Sequence, residues 1–456
     1  MISAGARAVL SDQAGQQFAD PAERCRIPVI FVDDLRKELG ALSNIFYDYP
    51  SKRIKTLAIT GTNGKTTIAS ILAEIFEKAH GSAAYIGTLG IGLWHNLEAS
   101  ENTTPDLLTV QRELDGFSNG GIKACTLEAS SHALDQNRLD GIETDVAVFT
   151  NLTHEHLDYH GSMQAYGEAK RRLFDAGARR CAPPSNAVIN LDDPYSEKIL
   201  AQLDPKTVVW PFAFEGKNQD YPGLTFASNV EASLQGISMH VVSPVGEGFI
   251  RSKLLGHFNV SNLLATIASL AALGWEFSEI QKALENVAGV PGRMEVIQLV
   301  GLSDDSVPAV VIDYAHSPDA LRQVLSSLRV LTNGRLICVF GCGGDRDQGK
   351  RAQMGAIAEQ LADVVVVTTD NPRGEDPTEI IRHVVAGQKK PERTLQEVDR
   401  ETAIRKAIAM ADANDVILIA GKGHETYQII AQRRVPFSDY EVSRIALSER
   451  YVGGGQ

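Results

Sequence analysis

The sequence predicts an α/β protein with a central P-loop-type doubly wound sheet domain followed by a C-terminal Rossmann-like α/β domain. Three observations predict it. Residues 54–60 are β-rich and run into a glycine-rich turn, after which Ile68, Ile71, Leu72, Ile75 and Phe76 recur at helical spacing as far as Gly81. Short apolar runs of strand length then alternate with helix-like stretches, which is the pattern of a parallel sheet with crossover helices. A second series of the same kind begins after Pro291-Gly292.

In order along the chain, residues 124–128, 146–150 and 187–190 read as short buried strands, with a helical pattern over 163–174. Residues 220–255, rich in Gly and Ser with alternating Val, Ile and Met, read as a β-hairpin insertion. The second series supplies strands at 309–313, 336–340, 364–367 and 416–420. The organisation read from this is 1–50, 51–292 and 293–456, and a chain of 456 residues suits about three domains at roughly 150 residues each. There are no internal repeats, and the one low-complexity stretch is the glycine-rich tail 453–455.

Composition narrows the function. With 43% hydrophobic and 22% charged residues the chain is an ordinary globular one. Forty-four Lys plus Arg against 57 Asp plus Glu give a net charge of -13, which argues against nucleic-acid partners, since their affinity comes from neutralised phosphates. No apolar run nears the roughly 20 residues that cross a bilayer, so membrane insertion is not expected and a cytoplasmic protein is; a monomer is a separate expectation. Five scattered cysteines, Cys25, Cys125, Cys181, Cys338 and Cys342, fit reduced thiols, the last two as packing residues.

The polar clusters fall where strands end. In the first series these are G-T-N-G-K-T-T (61–67), E-A-S-S-H (128–132) and T-N-L-T-H-E-H-L-D (150–158). In the second they are D-Y-A-H (313–316), G-C-G-G-D-R (341–346), D-N-P-R (370–373) and G-K-G-H-E (421–425). Ligands of open α/β sheets bind outside the carboxyl ends of the strands. The economical expectation is two reactive edges facing one cleft.

Each motif has its chemistry. Between a strand and a helix, Gly61, Thr62, Asn63, Gly64, Lys65, Thr66 and Thr67 form a phosphate cradle, with Lys65 for the phosphates and Thr66 for magnesium. The strict eight-residue pattern fails, because Ile59 stands six positions before Lys65, and a plain glycine turn is the alternative. Glu128 ends a strand where a carboxylate reaches a nucleotide-bound cation, His156 suits a second ligand, and Lys170 lies on the following helix. Each alone also fits a blander role, as a strand cap, a core histidine or a solvated lysine. Arg346 and Arg373 suit carboxylates, and Asp370 with Glu425 suits an ammonium, so together they would recognise a small zwitterion; an ion-pair network among loops is the alternative.

Assembled, the motifs resemble the Mur ligase family from about residue 25 to the C terminus. The resemblance rests on A-I-T-G-T-N-G-K-T-T, E-N-T-T, E-A-S-S-H-A-L-D-Q-N-R, F-T-N-L-T-H-E-H-L-D-Y-H-G, the Y-x3-A-K helix, G-H-F-N-V-S-N, G-R-M-E, D-Y-A-H-S-P-D-A-L, F-G-C-G-G-D-R-D, D-N-P-R and A-G-K-G-H-E. The family's own P-loop departs from the strict pattern in the same way.

The resemblance implies an ATP-dependent amide-bond ligase of peptidoglycan precursor synthesis, adding meso-diaminopimelate to UDP-N-acetylmuramoyl-L-alanyl-D-glutamate through an acyl phosphate. By resemblance, Lys65 and the 61–67 backbone bind the ATP phosphates and Thr66 and Glu128 hold one Mg2+. Glu128, His156 and a carbamylated Lys170 hold a second. Asn259 and Asn262 match the adenine side, and Arg293, Asp313 and Tyr314 the hinge and ribose contacts. Asn102, Thr103, Thr104, Ser130, Gln136 and Arg138 match positions that hold the muramoyl-dipeptide. Asp370, Asn371, Pro372 and Arg373, with Arg346, Gly421 and Glu425, match the pocket of the added amino acid, where Arg373 meets the distal carboxylate that lysine lacks.

One departure stands out: only 60 residues precede Gly61, fewer than the family's small UDP-anchoring domain needs. Residues 1–50 therefore read as a remnant of that domain and a linker, with a start codon placed too late as the expectation. Two other functions compete: a folylpolyglutamate or cyanophycin synthetase-like ligase, which D-N-P-R and E-A-S-S-H disfavour, and a truncated nucleotide-binding chain without ligase activity.

Overall fold

The computed structural model describes residues 7–12, 28–214, 221–297 and 307–451. Cys25 and the 24–26 segment lie outside them. Cys125, Cys181, Cys338 and Cys342 are free thiols, in line with the reduced state expected. The chain divides into two compact units, Met1–Pro211 and Phe212–Gln456.

In the first unit five strands run parallel in the order Asn186–Asn190, Val146–Phe149, Lys55–Thr60, Ala124–Glu128, Ala84–Gly87. Gly90–Leu93 and Asn96–Glu98 extend the last edge antiparallel. From the central strand Lys55–Thr60 the chain first builds to one side and then crosses to Val146–Phe149 on the other. The turn after Thr60 therefore opens at the topological switch point, where α/β sheets bind ligands.

The four expected strands form within a residue or so of their predicted bounds. The predicted helix over 163–174 is α-helical over Met163–Arg171 and finishes as a 3-10 turn, Arg172–Phe174. The glycine-rich edge strands went unforeseen, because Gly87, Gly90 and Gly92 interrupt any apolar alternation. Lys65–His80 buries the helically spaced Ile68, Ile71, Leu72, Ile75 and Phe76 and stops where Gly81 takes φ +81. That left-handed C-cap suits glycine.

In the second unit Thr225–Ser233, Gly236–Ser243 and Gly246–Ser252 form an antiparallel meander. A single hairpin was expected over 220–255; the finding is three strands, because the segment holds two tight glycine-marked turns, before Gly236 and before Gly246. After the buried helix Phe258–Ala272, a six-stranded sheet runs in the order Glu295–Val296, Ala309–Asp313, Val416–Ala420, Leu336–Phe340, Val364–Val367, Leu395–Gln396. All neighbours are parallel except the first pair. The four strands expected here match residue for residue. Alternate side chains feed two cores, Val311, Cys338, Phe340 and Leu418 on one face and Ile312, Ile337, Val339 and Ile419 on the other. Parallel strands deliver the 313–316, 341–346, 368–373 and 421–425 loops to one sheet edge. No helix of the described residues is long and apolar enough to cross a membrane.

Candidate functional site

In the first unit the 61–67 loop is held from below by the neighbouring strand's exit. The Asn63 backbone N–H donates to Asn151 Oδ1 at 2.9 Å, Thr62 N–H to Asn151 O at 2.8 Å, and Thr150 Oγ1 donates to Asn63 O at 2.6 Å. Gly61, at φ +148, tolerates no side chain: a Cβ there would lie 1.8 Å from Thr150 Oγ1. Gly64, also left-handed, starts the helix, so successive N–H groups of 64–67 point toward the helix entrance, an anion-binding arrangement.

Glu128 is fully buried at the end of the adjacent strand. Its Oε1 accepts from Tyr85 OH at 2.5 Å and from Thr88 N–H at 2.8 Å; its Oε2 accepts from Thr66 Oγ1 at 2.9 Å and Thr88 Oγ1 at 3.1 Å. A buried carboxylate beside the hydroxyl of a phosphate loop is a hard oxygen pair for a divalent cation. Sequence reasoning missed Tyr85 and Thr88, which lie 43 and 40 residues from Glu128 and carry no motif.

Lys170, 1% exposed, donates to Gly61 O at 2.7 Å, and its ammonium sits 4.4 Å from the centre of the Tyr166 ring. Lys65 Nζ donates to the same carbonyl at 2.9 Å and to Thr62 O at 2.8 Å. Burial first, and Lys65 second, hold the Lys170 amine well below the usual lysine range. Tyr166 OH meets Thr62 Oγ1 at 3.1 Å, closing the group around the loop.

His156 packs edge-on against His132 at 4.9 Å and lies 6.0 Å from the Tyr166 ring, with Glu155 Oε2 at 3.8 Å. Burial pushes its imidazole down to about 4, against the pull of Glu155, so the ring is neutral and offers a lone pair at pH 7. Among the described residues no group of three or more His, Cys, Asp or Glu side chains is set to hold a metal ion. The predicted set of Thr66, Glu128, His156 and Lys170 contains only two of those residue types.

The expected dipeptide residues also come together. Thr104 Oγ1 bridges Glu128 O at 2.5 Å and Ser130 Oγ at 3.2 Å, while Thr103 Oγ1 is 3.3 Å from Thr88 Oγ1. Arg138 donates to Thr104 O at 2.7 Å and grips Gln136 Oε1 twice, at 3.0 and 2.6 Å. Asn102 sits in the same turn, its carbonyl capped by Ser100 Oγ.

In the second unit Asn259 and Asn262 are buried at the start of their helix, where Asn262 Nδ2 donates to Asn259 Oδ1 and Asn259 Nδ2 to Leu255 O, both at 2.6 Å. Arg293 lies over the Tyr314 ring at 4.6 Å. Asp313 accepts the Met294 and Ala315 N–H groups, each at 2.8 Å, and burial raises its pKa despite Arg293. Gly292, at φ +65, lies so close to the 423–424 backbone that a Cβ would sit 2.1 Å from His424 N.

The D-N-P-R and G-K-G-H-E loops interlock through Lys422, which is fully buried. Its ammonium donates to Glu425 Oε2 at 2.9 Å and Asn371 Oδ1 at 3.1 Å and lies 3.7 Å from Asp370 Oδ1. Burial raises the Glu425 pKa, but Lys422 and Asn371 outweigh it and hold the carboxyl below its ordinary value. Asp370 Oδ1 is buried with no hydrogen-bond donor among the described residues, and Gly421 packs beside that carboxyl, where a Cβ would make ordinary contact 3.7 Å from Asp370 Cγ. Arg373, at φ +48, projects from Pro372, and the Cβ position of Gly343 stands 2.9 Å from its NH1 and 3.7 Å from Arg346 Cγ. Two guanidinium-bearing side chains thus share one loop pair. Sequence reasoning quoted Lys422 inside a motif without a role; no local signal marks a lysine as buried.

Two family models match this chain, Mur ligase middle domain over residues 59–270 and Mur ligase, glutamate ligase domain over 292–423. The chain belongs to the Mur ligase family. As a Mur ligase it is an ATP-dependent amide ligase. It is 45% identical over 450 residues to a UDP-N-acetylmuramoyl-L-alanyl-D-glutamate--2,6-diaminopimelate ligase of Chromobacterium violaceum, covering 98% of this chain and 87% of that protein. A protein of the same name from Coxiella burnetii is 41% identical over 428 residues, 94% of this chain and 86% of that one. A solved structure of such a ligase aligns with a TM-score of 0.70 at 34% identity, covering 97% of this chain and 92% of the other. A folylpolyglutamate synthase of Mycobacterium tuberculosis shares the Mur ligase fold at a TM-score of 0.66 and 18% identity, covering 84% of this chain and 91% of that one.

Proposed function

We propose that this Mur ligase joins meso-diaminopimelate to the D-glutamyl carboxylate of UDP-N-acetylmuramoyl-L-alanyl-D-glutamate at the expense of ATP. The observation that carries the reading is the loop pair bearing Arg346 and Arg373, together with the buried acid Asp370 and the half-buried acid Glu425 on the neighbouring loops. Two guanidinium groups, with two acids that Lys422 already holds in place, suit an amino acid with an extra carboxylate at its far end. The names of the relatives point the same way.

The residues divide the work. The 61–67 backbone and Lys65 bind the ATP phosphates and neutralise the charge that builds as the terminal phosphoryl group moves to the carboxylate. The acyl phosphate is attacked by the diaminopimelate amine; the amide bond forms, phosphate leaves and the amine loses a proton. Asn102, Thr103, Thr104, Ser130, Gln136 and Arg138 hold the muramoyl-dipeptide. Arg346, Asp370, Asn371, Pro372, Arg373, Gly421 and Glu425 hold the amino acid. On the adenine and ribose side stand Asn259, Asn262, Arg293, Asp313 and Tyr314.

The donor set fits magnesium. Thr66 and Glu128 would hold one ion, and Glu128 with His156 and a carbamylated Lys170 a second. Magnesium, when bound, screens the phosphate oxygens. Carbamylation is supported by the amine itself: burial favours its neutral form, which is the form that adds carbon dioxide, and the product is an anion next to Lys65. The reading takes 1–50, 51–292 and 293–456 as the functional divisions and places the enzyme in the cytoplasm as a monomer.

The test is phosphate release from ATP with the UDP-muramoyl-dipeptide plus diaminopimelate, set against lysine. Release with diaminopimelate and little with lysine is expected. Equal rates with both, or none with either, overturn the assignment.

A further inference from the structure

Resting on that reading, we propose that the ion pair between buried Arg351 and half-buried Glu375 is the positioning element that sets Arg346 against Arg373, and so decides the preference for an amino acid with a distal carboxylate. Neither residue belongs to the motifs that bind ligand. Arg351 lies in the first turn of the helix Gly349–Leu361 with its side chain fully buried. A buried guanidinium is stable only when paired.

Its partners lie on both loops. NH1 donates to Glu375 Oε2 at 2.9 Å and NH2 to Glu375 Oε1 at 2.8 Å, a two-pronged pair that fixes orientation as well as distance. NH2 also donates to Gly343 O at 3.2 Å, and NH1 lies 3.0 Å from His383 Nδ1. Glu375 Oε1 in turn accepts the Asp345 N–H at 2.6 Å. One ion pair therefore grips the backbone at 343 and 345, either side of the Gly344 contact and next to Arg346. On the other loop it grips Glu375, two residues beyond Arg373.

The two loops are laced together above this pair. Gly344 N–H donates to Asn371 O at 2.9 Å, Arg373 NH1 donates to Gly344 O at 2.9 Å, and Gly374 N–H donates to Asp345 Oδ2 at 3.0 Å. The approach is so close that a Cβ on Gly344 would stand 1.9 Å from Pro372 O. Bringing two arginines side by side costs like-charge repulsion in the free enzyme. The fork between Arg351 and Glu375 holds the two loops in register against it and keeps the arginines' spacing fixed for a carboxylate that binds both. Loss of the fork lets the loops slip, and a slip of about 1 Å costs on the order of 100-fold in a site that depends on fixed geometry.

The experiment uses the full chain and steady-state phosphate release with wild type, Glu375→Gln and Arg351→Lys. The first keeps shape and removes the charge; the second keeps the charge and removes the fork. For both, the KM for diaminopimelate is expected to rise about tenfold or more, with kcat and the KM for ATP within about threefold of wild type. The kcat/KM ratio of diaminopimelate over lysine is expected to fall with it. An unchanged KM for diaminopimelate in either variant, or an equal loss in all substrates' KM values together with a lowered melting temperature, overturns the proposal. The wild-type arm separates the two readings: if wild type shows no diaminopimelate preference, the assigned reaction falls, and this inference with it. If wild type shows the preference and both variants retain it, only the positioning role falls.

Discussion

Removing the anion from the ion pair Arg400–Asp439 is expected to destabilise the second unit strongly. Both side chains are fully buried. Arg400 donates through Nε and NH2 to the two Asp439 oxygens, each at 2.7 Å, and through NH1 and NH2 to Thr369 O at 3.1 Å and Ala420 O at 2.9 Å. Asp439→Asn leaves a buried cation without its counter-charge, a loss of about 3–5 kcal/mol. For a unit of this size 1 kcal/mol moves the midpoint by roughly 2–4 °C, so the melting temperature should drop by about 6–20 °C. Thermal unfolding followed by circular dichroism measures it. The double variant Arg400→Met/Asp439→Asn should lose less than the sum of the two single losses, by about 1 kcal/mol or more, because each single change strands the other partner. A drop under about 3 °C for Asp439→Asn, or strict additivity in the cycle, refutes the reasoning. The carbonyls that Arg400 holds precede Asp370 and Gly421, so folded Asp439→Asn enzyme should also show a raised KM for diaminopimelate at an unchanged KM for ATP.

Arg373→Ala should raise the KM for diaminopimelate by about tenfold or more, since it removes a charge-assisted pair; an unchanged KM removes the specificity argument. Lys170→Met should abolish phosphate release while leaving ATP binding measurable by calorimetry, and wild type given 13C-labelled bicarbonate should show a carbamate carbonyl signal that the variant lacks. Arg351 hydrogen-bonds Glu375 and lowers its carboxyl to about 2, from an ordinary value of 4.5. A carboxyl lowered on folding contributes stability above its unfolded pKa and loses it as pH falls through the folded one. The wild-type melting temperature should therefore fall more steeply than that of Glu375→Gln between 4.5 and about 2; parallel curves would remove that contribution.

How far the sequence shows this molecule depends on how local the physics is. The strands Ala309–Asp313, Leu336–Phe340 and Val416–Ala420 are buried on both faces, so each is a continuous apolar run that ends in a polar motif, and each could be read off directly. The lysine helix after Gly64 was legible because its apolar spacing and its Gly81 stop are local too. The edge strands Gly90–Leu93 and Asn96–Glu98 were not, since their pairing is decided by the neighbouring strand and not by their own pattern. The meander after Thr225 shows the intermediate case, in which strand character was visible but the number of turns was not.

The same rule separates the residues proposed to touch ligand from those that hold them. Lys65, Glu128, Asp370 and Arg373 follow strand ends directly, so a polar motif after an apolar run finds them. Tyr85, Arg351, Arg400 and Lys422 act on partners 43, 24, 39 and 51 residues away, and each is informative only because it is buried. Burial of a charge is costly unless a partner is in place, so these side chains mark where the fold spends stability to fix loop geometry. In this unit three buried cations, Arg351, Arg400 and Lys422, all brace the 341–346, 369–375 and 420–425 segments. On the proposed reading, a pocket that tells two amino acids apart by one distal carboxylate needs that stiffness, because a loop free to relax would let the arginines fold away and accept an end that lacks the carboxylate as well.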